Sequence, residues 1–495
     1  MKILSFLKCI CLLFVLTTIP VFSQNYEISI TLNSRNDTVI LGHYFAKNDM
    51  WISDATTTLK NGKAVFKGDK KLEKGIYFIF FDKKKFDIVI GDNQQFSIVA
   101  DTADFVNLTK FTSSAENDVF YDFQRYNAER GKLFQQLNEQ YKDATTDADR
   151  NAIRTQMQTL NKERIEYIED LIKANDGLYV SKFLKALVDP ETHLPEPPKD
   201  DQGRITDSTF VYRWYRAHFF DNLNIFDPDM LRTPFYEEKL TDFMTRVIPQ
   251  HQDTICVEAD KILTKAKANS DIFRCVLVSM FNYYVKSKVM VHENVWVHLA
   301  EKWYIPHANW ESVTPEYIET LKKEVEKKKP NLIGTPAPPM EMLQALPPEH
   351  FKAAALDTAI KFDLYAGVSI KDFRQNTKGK YTAVLFWDYS CSHCKKTLEE
   401  LYPVYEEYKD KGLVVITVQT VNTKEAKGKW IDFVNDHQMF GWTNAWSPFS
   451  NKFRDSYDIS MTPILYLIDQ KGIIIGKRLV PEQIKDFINS KPPGK

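Results

Sequence analysis

The chain has almost no net charge: 65 Lys and Arg stand against 66 Asp and Glu, a formal balance of −1. Nucleic-acid binding leaves a basic patch and a basic pI, so no nucleic-acid partner is expected. Long apolar runs are missing after the first residues, so no later segment is expected to cross a bilayer. Cysteine is sparse, with six in 495 residues, and only one mature pair is closely spaced. A structural zinc site takes four ligands, usually from a second Cys pair or a His pair at matching spacing, and neither is present. His292-Glu293 with His298 has the wrong interval for a metalloprotease. The second His comes six positions on rather than four, on another face of a helix. No metal ligand is assigned from these patterns.

The first residues do hold an apolar run, from Cys9 to Phe22, behind Lys2 and Lys8. Two lysines, a short apolar core, and Val21 and Ser23 ahead of a cut fit a signal peptide over residues 1–23. Cys9 and Cys11 would leave with it, and no small-residue lipobox precedes either. Four cysteines then remain: Cys256, Cys275, Cys391 and Cys394. Export places them in an oxidising compartment, the periplasm or cell envelope. A dithiol acting there as a reductant must be re-reduced by another protein, and a membrane thiol reductase is the expected donor.

The chain reads as multidomain. Residues 24–112 read as an all-β domain. Tyr26 to Leu32 alternates with period two, and Lys60-Asn61-Gly62 reads as a hairpin turn between Thr56–Leu59 and Lys63–Phe66. Several short strands at this spacing suggest a small sandwich or open barrel, and a scaffold or docking role is the default for it. Residues 113–330 read as all-α. Val119, Phe120, Phe123, Leu133 and Leu137 mark one long helix, and Ile153, Met157, Leu160, Ile168 and Leu171 an antiparallel second. A third covers Tyr179 to Leu187. Cys256 and Cys275 lie 19 positions apart in this part, and two helices of a hairpin could join them as a structural disulfide or leave them as buried thiols. Lys327-Lys328-Lys329-Pro330 ends the helices. Gly334-Thr335-Pro336-Ala337-Pro338-Pro339 reads as a stiff connector into an α/β domain over 331–495.

The chemistry lies in that last domain. Tyr381 to Leu385 reads as a buried strand, and Leu398, Leu401, Val404 and Tyr405 follow at helical spacing. Cys391-Ser392-His393-Cys394 therefore sits at a strand-to-helix turn. Unpaired N–H groups at a helix start favour thiolate over thiol. Cys391, the outer residue, is the expected attacking thiolate, and Cys394, in the first turn, the resolving one. A charged His393 would favour the Cys391 thiolate and shift the couple toward oxidising values. Ser392 is its companion in the tuning positions. Later, Thr462-Pro463 stands just before a strand, Ile464 to Ile468, and fits a cis-proline loop beside the dithiol. Asp469 to Gly472 reads as a turn into Ile473–Gly476, and a closing helix runs from about Pro481 to Asn489.

On these residues the chain from about Gly334 onward resembles the thioredoxin fold, and specifically the TlpA-like thiol–disulfide oxidoreductases of the cell envelope. The β-rich and helical parts resemble domains of unknown function that accompany such proteins. The resemblance implies exchange of electrons with protein disulfides through Cys391 and Cys394, with no cofactor beyond that redox-active disulfide. It implies that a substrate peptide docks, extended, at Thr462 and Pro463. All elements of the fold lie between Leu332 and Lys495, so that fragment is expected to fold alone. Three positions depart from the pattern. Leu385 stands where thioredoxins bury an acid, Thr397 where a Glu is frequent, and Ser390 where a Trp usually precedes the first cysteine. The proton-transfer residue is therefore unassigned. The alternatives are a disulfide oxidant or isomerase, and a copper-binding thioredoxin-like protein, since soft thiolates with a nearby His suit copper. His437 is the only His after His393.

Overall fold

The computed structural model describes residues 25–33, 38–340, 342–345, 380–447 and 451–490. The leader expected over 1–23 lies outside them. The chain divides into two compact units, one ending at Phe243 and the other beginning at Met244. The division falls within the part read as one helical domain, because its helices pack against two different sheets.

In the first unit, two four-stranded sheets face one another. One has the order β4 (Lys63–Gly68), β1 (Tyr26–Leu32), β7 (Gln95–Ala100), β8 (Lys110–Thr112). The other has the order β3 (Lys47–Thr58), β2 (Thr38–Phe45), β5 (Gly75–Phe81), β6 (Lys84–Ile90). Alternate residues meet between them, among them Ile28, Ile30, Val39, Leu41, Ile79, Phe81, Ile88, Phe96 and Ile98. The expected sandwich is present. Asn61 and Gly62 both take positive φ, at 51° and 74°, as a tight primed turn requires. An antiparallel bridge between Lys60 and Lys63 closes the turn, but the strands part beyond it. β3 pairs with β2, and β4 pairs with β1 in the other sheet. The turn hands the chain across the sandwich.

β5 is apolar throughout because it is buried on both faces. Tyr77, Ile79 and Phe81 enter the sandwich core, while Ile76 and Phe78 join a second cluster beneath helices. Those helices are α1 (Ala115–Asp143), α2 (Asp147–Ala174) and α3 (Tyr179–Ala186). Val119, Phe120, Phe123, Ile168, Val180, Phe183 and Leu184 supply the contact. Only the roots of α1 and α2 are buried. The start of α3 has no capping side chain of its own. Glu116 supplies one from α1, its carboxylate accepting from Tyr179 N–H at 2.9 Å and Val180 N–H at 2.7 Å.

In the second unit a six-stranded sheet has the order β14 (Ile474–Lys477), β13 (Ile464–Asp469), β10 (Tyr381–Trp387), β11 (Leu413–Gln419), β12 (Thr443–Trp446), β9 (Leu343–Ala345). β10 runs parallel to β11 and antiparallel to β13. It is buried on both faces. Ala383, Leu385 and Trp387 enter one core, and Val384 and Phe386 the other, which is why the run does not alternate in polarity. The stretch read as a connector is bonded to the sheet. Gly334 N–H donates to Ile474 O at 2.8 Å, Ile474 N–H to Thr335 O at 2.9 Å, and Ala337 N–H to Gly472 O at 2.8 Å. Pro336 falls between the donors Gly334 and Ala337 and Pro338 follows them, so their missing N–H groups interrupt none of these bonds.

Helices α4 (Gln252–Ala266), α5 (Ser270–Lys286), α6 (His292–Leu299) and α7 (Pro315–Lys328) also belong to this unit. The Leu332–Lys495 fragment holds the fold's elements but not all of its partners. Lys477 on β14 is buried and pairs with Glu293 on α6, and its Nζ donates to Asn331 Oδ1 at 2.8 Å. The carboxylate of Asp458, equally buried, takes Lys327 and Lys328 from α7.

Candidate active site

Cys391 is the residue that caps helix α8 (Ser392–Tyr408), at φ −82° and ψ 120°. The turn before it is held by Asp388, whose Oδ1 accepts from both Ser390 N–H and Ser390 Oγ–H at 2.8 Å. That use commits Asp388 Oδ1 to the turn. Cys391 is half-buried, and its thiol points at the carbonyl oxygen of Thr462, 3.8 Å away. Thr462–Pro463 is a cis peptide bond. The strand-to-helix turn and the Thr-Pro loop thus meet where the sequence places them.

Cys394 differs. It is fully buried, in the core that holds Leu385, Trp387, Leu398 and Leu401. Burial first, then the hydrogen bond and charge of Cys391, push its thiol up to about 11. Leu385, at the position where thioredoxins bury an acid, lines that same apolar core. Ser392 and His393 are exposed on the first turn. Thr397, where a Glu is frequent, turns its Oγ back to His393 O at 3.0 Å. Phe386 and Trp387 are core residues.

Beside Pro463 lies a cavity of about 330 Å³, with Thr397, Glu400, Met461, Arg478, Leu479 and Val480 among its walls. Met461 stands 71% exposed at its edge. Arg478 and its surroundings were not singled out from sequence. A lone basic residue after a β-hairpin carries no pattern that marks it.

Cys256 on α4 and Cys275 on α5 are not joined in a disulfide. Cys275 lies within the buried stripe of α5, whereas Cys256 is at the margin of the α4 stripe formed by Ile255, Ala259 and Ile262. Burial, with Asp260 and Asp253 close by, pushes Cys256 up to about 12. His298 Nε2 meets Asp260 Oδ1 at 2.8 Å, while His292 Nδ1 meets Ser287 Oγ at 2.8 Å. The two histidines therefore serve different partners. Among the described residues no group of three His, Cys, Asp or Glu is placed to hold a metal. His437 stacks on Phe433 at 3.8 Å and bonds its carbonyl through Nδ1 at 2.9 Å.

Comparison with known proteins agrees with this order. Residues 379–474 match a thioredoxin-like family model. Residues 153–333 and 26–120 match domains of unknown function, DUF5106 and DUF4369. The C-terminal domain is thioredoxin-like, preceded by a helical and a β domain. The thiol-disulfide oxidoreductase ResA of Bacillus anthracis is 27% identical over 119 residues, covering 24% of this chain and 63% of ResA. Protein DipZ of Mycobacterium tuberculosis is 30% identical over 112 residues, covering 20% of this chain and 14% of DipZ. The chain thus spans less than two thirds of either relative. A crystal structure of a thioredoxin-like protein from Bacteroides caccae is 17% identical, covering 60% of this chain and 98% of its own, at a TM-score of 0.38. The thioredoxin domain of a thiol-disulfide oxidoreductase from Bacteroides vulgatus is 25% identical, covering 32% and 98%, at a TM-score of 0.25. No helix among the described residues is long and apolar enough to cross a membrane.

Proposed function

We propose that the chain is a thiol–disulfide oxidoreductase of the cell envelope acting on protein disulfides. The observation that carries this is the unequal placement of two neighbouring sulfurs. Cys391 reaches the surface facing Thr462 O, and Cys394 is buried behind it with its thiol pushed up to about 11. In the reducing direction, the Cys391 thiolate attacks one sulfur of a substrate disulfide. That S–S bond breaks, and the departing thiolate takes up a proton. Cys394 then gives up its proton and attacks Cys391 Sγ, releasing the second substrate thiol. Two electrons and two protons pass to the substrate, and Cys391–Cys394 becomes the disulfide. Burial that disfavours the Cys394 thiolate keeps it protonated until Cys391 is occupied. A membrane thiol reductase would return the electrons.

The substrate segment would lie extended along Thr462 and Pro463, pairing with exposed backbone there. His393 and Ser392, exposed at the helix start, would tune the couple. An uncharged replacement of His393 should lower the reduction potential. The test is equilibration of the full chain against glutathione buffers, reading the Cys391–Cys394 disulfide. A value near −180 mV marks an oxidant or isomerase, and one near −270 mV a reductant. A pair that forms no disulfide across that range overturns the proposal.

A further inference from the structure

Asp458 stands four positions before Thr462 and begins the loop that faces Cys391. It takes φ 48°, a left-handed conformation, and its side chain is 3% exposed. Three cations converge on this one carboxylate. Lys327 Nζ reaches Oδ1 at 2.9 Å, and Lys328 and Arg478 both reach Oδ2. Burial alone would raise the Asp458 carboxyl, but these cations outweigh it and hold the group below the usual carboxylate range. The surrounding backbone is tied in as well. Ile459 N–H donates to Arg454 O at 2.7 Å, and Tyr466 OH to Tyr457 O at 2.6 Å.

Two of the three cations do not belong to the thioredoxin-like sheet. Lys327 and Lys328 end helix α7, where basic residues also suit the helix C-terminus. The third, Arg478, lines the cavity beside Pro463. Lys328 also meets Glu293 on α6 at 3.1 Å, and Glu293 in turn holds the buried Lys477 on β14. The end of α7 is thereby joined through one carboxylate to the loop opposite the reactive sulfur.

We infer that Asp458 is a positioning residue through which helix α7 sets the loop Ile459–Pro463 for substrate docking at Cys391. The inference deepens the exchange reading above and rests on it for its functional half. The end of the helical region thereby holds the docking loop in register with the cysteine.

The test uses the full chain, with Asp458→Asn and with a Lys327→Met, Lys328→Met double variant. Amide hydrogen exchange should speed up several-fold more at Ile459 to Thr462 than along β10. With the same variants, KM for a protein disulfide should rise roughly tenfold or more, while kcat on a small aromatic disulfide stays at the wild-type value. Lys328→Arg, which keeps the cation, should keep both readouts. Unchanged loop exchange in both variants overturns the inference. So does a joint fall of β10 protection and small-disulfide turnover, which would mark Asp458 as a general structural residue. A wild-type chain that exchanges no disulfide, with the loop still loosened in the variants, overturns the exchange reading while supporting the link from α7 to the loop.

Discussion

The molecule attaches helices to sheets in two ways. Beneath the sandwich, α1–α3 sit on β2, β5 and β6 through rings and aliphatic groups, with Phe120, Phe183 and Phe78 in one apolar cluster. Beside the thioredoxin-like sheet, α6 and α7 meet β14 and the start of the Ile459–Pro463 loop through buried ions: Glu293, Lys477, Lys328 and Asp458. Apolar burial is non-directional and carries no charge for salt to screen or pH to titrate. A buried ion pair adds little net stability, but losing one partner costs more than the pair contributes. The first contact serves as a fixed foundation. The second specifies a register, and it does so next to the residues that face Cys391.

The sharpest way to break the comparison is a cavity in the apolar foundation. Phe120→Ala should cost about 3–5 kcal/mol of stability in the first unit, equally at low and high salt in denaturant titrations. On the ionic side, Asp458→Ala should cost about 2–3 kcal/mol. The loss stays moderate because Lys327 and Arg478 are partly exposed and can turn to water. A smaller effect is expected where the first unit does use a charge. Glu116→Ala removes the acceptor for two N–H groups at the start of α3 and should cost about 1–2 kcal/mol.

The last effect is a slope. Burial, with Arg478 adding repulsion, pushes Lys477 from 10.5 down to about 7 despite the Glu293 carboxylate beside it. Below about pH 7 both folded and unfolded states carry the proton. Between about 7 and 10.5 the unfolded chain still binds it and the native chain has released it. Unfolding free energy should therefore rise with pH across that window, by at most about 1.4 kcal/mol per unit. Lys477→Met should flatten that rise, as chemical denaturation at pH 7, 8 and 9 would show. An unchanged slope would place the proton elsewhere.

The parts legible in the sequence were those set by local pattern. The dithiol turn follows from Tyr381–Leu385, the Cys spacing and Leu398-Leu401-Val404. The long helices α1 and α2 follow from their periodicity. β3 was not legible beyond Thr56. Met50, Trp51 and Ile52 are consecutive and exposed on an edge strand, so no alternation marks it. The route of the Asn61-Gly62 turn was hidden because turn chemistry fixes backbone angles, not which sheet receives the next strand. The stretch from Gly334 read as a stiff connector because prolines dominate its composition, whereas Gly334 N–H bonds β14 and Ala337 N–H bonds Gly472 in the turn before it. The ion network was invisible for another reason. Asp458 and Lys328 lie 130 positions apart, and a charged residue gives no sign in sequence of being buried with a distant partner.

The central claim is that Cys391 attacks and Cys394 resolves. On the proposed exchange, Cys394→Ala removes release and leaves attack intact, so the variant should accumulate mixed disulfides. Non-reducing gels followed by peptide mass analysis should find every one of them joined through Cys391, and the Cys391→Ala, Cys394→Ala double variant should trap none. If Cys394→Ala traps nothing while the purified wild-type dithiol binds Cu(I) tightly, exchange is not its chemistry.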